Sequence, residues 1–170
     1  MEHYAMKISI GLLAFVLLLG ITAPGNPNQE GGKYSVAAIH AHLYYHATGK
    51  INPIDLLDGK THVLWNTIIG EGEAREPSSA IMVLVDLVGP GFTQCEGRLS
   101  LIATDSQKTL LDQKLELSLC FNEGGKVILP FLVCGTGREE VKITAALENM
   151  SASKVDIGTL TKTIPFECGE

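Results

Sequence analysis

Basic residues are scarce in this chain. Thirteen Lys and Arg stand against nineteen Asp and Glu, a formal net charge of −6. Phosphate binding needs clustered Lys and Arg, and none are clustered here, so a nucleic-acid partner is excluded. The four cysteines (Cys95, Cys120, Cys134 and Cys168) never fall at CxxC spacing, which removes thioredoxin-like redox chemistry and a zinc knuckle. There is no GxSxG elbow, and so no sign of the strained nucleophile turn of the α/β hydrolases. The glycines at 70, 72, 89 and 91 lack phosphate-loop spacing, and turn geometry accounts for them. Helical periodicity is nearly absent. One short hint spans residues 53–57, and the signal elsewhere is alternation.

The chain does carry an export-like start. Lys7 precedes fifteen uncharged, mostly apolar residues (8–22), and Ala23-Pro24-Gly25 follow. A positive charge, an apolar run and small residues, in that order, describe a secretory signal peptide. The run is short for a membrane span, which takes roughly 20 apolar residues. We therefore expect residues 1–25 to form a signal helix removed on export to a secreted or periplasmic location. An uncleaved membrane anchor is the alternative, and a membrane partner is expected only in that case. Residues 26–34 are mostly polar turn formers and read as a flexible lead-in.

The remainder, 35–170, reads as one domain dominated by period-two patterning. Over 111–121, Leu111, Leu115, Leu117, Leu119 and Phe121 share one face with Gln113, while Asp112, Lys114, Glu116 and Ser118 share the other. This is the signature of a half-buried antiparallel strand. Similar runs at 35–46, 62–69, 80–88, 98–104, 127–134, 140–147 and 159–168 bring the total to about eight strands, separated by Gly-, Pro- and Asn-rich breaks. The expected fold is all-β: an antiparallel β-sandwich of immunoglobulin-like architecture. The runs 80–88 and 127–134 are apolar on both faces and are expected to be central, although Pro130 inside the second points to a bulge or an edge. The order Cys-Trp-Cys of true immunoglobulin domains is missing, because Trp65 precedes every cysteine.

Side chains with chemistry are few. His40, His42 and His46 fall on one side of the first strand with Tyr44. Imidazoles two residues apart project in parallel and suit zinc or copper, and His62 offers a further donor. Four cysteines in an oxidising compartment suggest up to two disulfides, with three pairings open. Asp86 interrupts an apolar strand and reads as a paired or edge carboxylate. Glu71, Glu73 and Glu76 read as a solvated loop, Trp65 as core, and Asn149-Met150-Ser151 as a glycosylation sequon. Ser78-Ser79 has no base placed near it by any motif. No catalytic set assembles, so the expected function is a non-catalytic exported module that binds a protein or a surface through its loops, with 70–79 and 89–94 as contact candidates. The alternative is a zinc- or copper-binding protein built on the histidine strand.

Overall fold

The computed structural model describes residues 34–59, 78, 80–136, 140–149 and 156–166. They belong to a unit spanning residues 31–170. The fold is all-β, with eight described strands in two antiparallel sheets that stack as a sandwich. The strands are β1 (Ser35–Tyr45), β2 (Lys50–Ile51), β3 (Ala80–Val88), β4 (Gln94–Thr104), β5 (Thr109–Cys120), β6 (Lys126–Cys134), β7 (Val141–Asn149) and β8 (Asp156–Ile164). The first sheet runs β2-β1-β3-β6 and the second β5-β4-β7-β8.

Alternation decides which residues meet between the sheets. On β3, Ile81, Val83, Val85 and Leu87 are fully buried, and on β7 Val141, Ile143 and Ala145 are as well. Ile39, Ala41 and Leu43 on β1 and Leu99, Leu101 and Ala103 on β4 complete the layer. A one-residue slip in any of these strands would turn its apolar set out to water, so the pattern also sets the register.

Three differences from the sequence expectation have physical reasons. First, β6 is an edge strand of its sheet among the described residues, while β3 is central. Pro130 faces Leu84 of β3 in an unbroken ladder, so the position without an N–H lies on the free edge, where it withholds a donor from strand addition. The strand is apolar on both faces because Ile128 and Leu132 remain 48% and 39% exposed on its outer side. Second, residues 53–57 form no helix. They run back along β1, where Leu56 N–H donates to Ala41 O at 2.7 Å and Asn52 N–H to Leu43 O at 2.9 Å. Together with the two-residue β2 they cover the outer edge of β1. Third, Cys95, Cys120 and Cys134 are all free thiols. Each of the three complete two-disulfide pairings needs a bond between two of these cysteines, so none of those pairings forms here. Cys168, the expected strand over 62–69, Trp65, His62, the 70–77 loop and the N-terminal leader lie outside the described residues.

Candidate functional site

Two features stand out from the sandwich. The first is a pair of fused loops at the end where β1 begins. The β3–β4 connection (89–93) and the β5–β6 connection (121–125) are joined by backbone hydrogen bonds. Gly89 N–H donates to Gly125 O at 2.9 Å, Phe92 N–H to Asn122 O at 3.2 Å and Phe121 N–H to Thr93 O at 2.8 Å. Within the first loop the Thr93 hydroxyl donates to Pro90 O at 2.5 Å. The approach is close enough to require glycine twice. A Cβ at Gly91 would sit 2.6 Å from Glu123 O, and one at Gly125, where φ is +60°, would collide with Gly89 O.

Phe92 stands at the tip of this assembly. Its side chain is 80% exposed, and it alone among the described non-glycine residues has positive φ, at 55°. That conformation costs a residue with a Cβ roughly 1–2 kcal/mol. A large apolar ring held in water on a strained backbone gains nothing for the fold, and backbone strain of this kind concentrates at functional sites. The chain enters the domain beside this loop. Tyr34 donates its hydroxyl to Gln94 O at 2.9 Å, and its ring lies 5.2 Å from that of Phe121.

The second feature is a charged cluster on the outer face of the first sheet. Asp86 projects outward near the end of β3, yet its side chain is only 6% exposed. One carboxylate oxygen, Oδ2, meets Lys126 Nζ at 2.6 Å and lies 3.4 Å from His40 Nε2. The other, Oδ1, is buried without a hydrogen-bond partner. His40 also holds Asp55 through Nδ1 at 2.6 Å, and Asp55 Oδ1 accepts from the N–H groups of Ala41 and Leu57, both at 3.0 Å. Hydrogen bonding to Asp55 leads the effects that raise the His40 pKa above its ordinary 6.5; partial burial opposes it and Asp86 adds to it. For Asp55, burial pushes the pKa up. The N–H of Ala41, the His40 ring and the N–H of Leu57 together outweigh it, so the carboxyl titrates below its ordinary 3.8.

The cluster is an ion-pair clip. Two carboxylates approach the ring nitrogens of His40, Asp55 at 2.6 Å and Asp86 at 3.4 Å, and hold the ring in place. Its role is to pin the 52–57 segment to β1 and β3. Ser78 likewise serves the fold, its Oγ lying 2.7 Å from Tyr44 O and 2.8 Å from Ala80 O.

The histidine strand is placed as follows. His40 and His42 do share the outer face of β1. His42 Nδ1 points at the carbonyls of Asn52 and Ile54, at 3.1 and 2.9 Å. His46 lies in the turn after β1 and meets the Tyr44 ring edge-on at 5.1 Å. Among the described residues no group of three or more His, Cys, Asp or Glu is disposed to hold a metal ion. Asp86 is the paired carboxylate expected of it. Its partners Lys126 and His40, and the Asp55 link, come from strand register and were not visible as a motif. Phe92 lay inside an expected contact loop, and its signal was a bulky apolar residue in a Gly-Pro-Gly turn.

No protein-family model matches the chain, and no curated protein matches it. Among solved structures, the chain is similar to a crystal structure of a protein from Archaeoglobus fulgidus at a TM-score of 0.37 and 8% identity, over 76% of this chain and 94% of that one.

Proposed function

We propose that this is an exported, non-catalytic module of immunoglobulin-like architecture, secreted or periplasmic, that engages a protein or surface partner through the loop end carrying Phe92. The strand order supports the architecture. Setting the two-residue β2 aside, the sheets β1-β3-β6 and β5-β4-β7-β8 follow the order A-B-E and C′-C-F-G of such sandwiches, in which loops gathered at one end meet partners. The leader-like residues 1–25 support export.

The observation that carries the binding role is Phe92: an 80% exposed aromatic at φ 55°, on a loop that is hydrogen-bonded in advance to its neighbour. A preformed platform avoids the entropy cost of ordering a loop on binding, and aromatic side chains dominate interface energetics. The test is Phe92→Asp in the source cell. The variant is expected to keep its β-type circular dichroism and to lose the intermolecular adducts that in-cell crosslinking yields with the parent. An unchanged adduct pattern with an intact fold would refute the loop as the contact.

A further inference from the structure

We infer that the outer face of β3 and β6 is a self-association surface, on which a second copy of this chain docks sheet against sheet about a two-fold axis. The inference goes beyond the binding role of the Phe92 loop and does not rest on it.

The two outer faces of the sandwich differ in chemistry. On the second sheet the outward residues of β4 and β5 include Glu96, Arg98, Asp112, Lys114 and Glu116, an ordinary wet face. On the first sheet, register places Met82 beside Leu132, Leu84 beside Pro130 and Asp86 beside Ile128. Met82 and Leu84 are half-buried, while Ile128, Pro130 and Leu132 are exposed. These five side chains make one apolar patch across two neighbouring strands. A single exposed apolar residue needs no explanation, but a contiguous patch marks an interaction site.

Charge and symmetry select a second copy as the occupant. A chain of net charge −6 repels itself wherever acid meets acid. The outward charges of β3 and β6 are Asp86 and Lys126, which pair with each other at 2.6 Å and leave this face neutral. Asp86 is only 6% exposed, so a docking copy removes little further water from it. The pattern of β6 is also symmetric, with Ile128 and Leu132 two residues either side of Pro130. A two-fold axis along the Leu84–Pro130 row sets Ile128 against Leu132 of the second copy, twice over, as an isologous contact requires. Pro130 withholds the donor that strand addition at the β6 edge would use, which leaves packing of face on face, with the sheets about 10 Å apart. Area sets the strength. Two strands of nine residues each span roughly 30 Å by 10 Å, about 300 Å² in plan per copy. A standard-size complex buries about 800 Å² per partner, so the dimer is weak and its population follows concentration.

The test is sedimentation equilibrium of the protein as recovered from its source cell, from about 10 µM to about 1 mM, the range of weak association. A reducing agent keeps the exposed Cys120 and Cys134 from linking copies covalently. The parent is expected to shift from monomer to dimer mass across that range. The double variant Ile128→Glu, Leu132→Glu sets acid against acid across the axis and is expected to weaken dimerisation by at least about tenfold. Ile102→Glu alters an apolar residue that is 37% exposed on the outer face of the second sheet, and it is expected to dimerise like the parent. Circular dichroism and melting curves verify the fold of each variant. A parent that stays monomeric throughout would overturn the inference and leave the face to another segment or another protein. A dimer that survives the double variant, or one lost in Ile102→Glu or Phe92→Asp instead, would also overturn it.

Discussion

Phe92→Gly separates a residue kept for contact from one kept for folding. The parent backbone at 92 sits at φ 55°, which costs a residue with a Cβ about 1–2 kcal/mol. Glycine removes that strain, while its freer unfolded chain takes back roughly 0.5–1 kcal/mol. The ring is 80% exposed, so little packing is lost with it. The balance is a stability unchanged or raised by up to about 1.5 kcal/mol, equal to roughly 3–6 °C in a chain of this size. Phe131, 3% exposed in the core, is the contrast: truncation to Ala is expected to cost about 3–5 kcal/mol. Urea unfolding followed by circular dichroism measures both. A loss above about 1 kcal/mol in Phe92→Gly would show that the ring supports the fold and would sink the reasoning.

The charged cluster and the thiols yield further expectations. Lys126→Met leaves the buried Asp86 carboxylate facing only His40. The cost is expected at about 1–3 kcal/mol at pH 8 and is smaller near pH 5.5, where a protonated His40 still compensates; equal costs at both pH values would contradict the pairing. Because the folded-state pKa of His40 is raised, its stabilisation is complete below about pH 6.5 and disappears as pH rises through the folded value. The side chain is 39% exposed, so the drop is screened to below about 1 kcal/mol. His40→Gln is expected to flatten that part of the stability–pH curve, and a slope identical to the parent would refute the assignment. Cys120 and Cys134 are exposed and Cys95 is buried, its thiol pushed up by burial and by Glu96. Peptide mapping after alkylation of the native protein is therefore expected to find label on the first two and on Cys95 only after unfolding.

Strand identity was legible wherever one face is buried and the other wet. The β5 alternation from Leu111 to Leu119 needed no tertiary information, and Ala80–Val88 matches its expected bounds because apolar residues on both faces suit a central strand. What could not be read depends on contacts distant in sequence. The Asp86–Lys126 pair joins residues brought near each other by the β3–β6 register, and His40–Asp55 depends on the chain doubling back beside β1. Two residues are too few to display a period, so β2 left no trace. The edge position of β6 was legible only in Pro130, against an apolar pattern that argued for the centre. The 89–94 loop was legible from its glycines and proline. That Phe92 faces solvent on a positive-φ backbone follows from the hydrogen bonds to Asn122 and Thr93 across the second loop, which no local pattern encodes.

The most direct test of the central claim is site-specific photo-crosslinking in the source cell. A benzophenone side chain replaces Phe92 in one variant and Ser106, exposed in the turn at the opposite end, in another. Adducts to lipid or protein that form from position 92 and are absent from position 106 are the predicted result. Equal adducts from both ends, or adducts from 106 alone, would contradict the assignment of the Phe92 loop end as the contact surface.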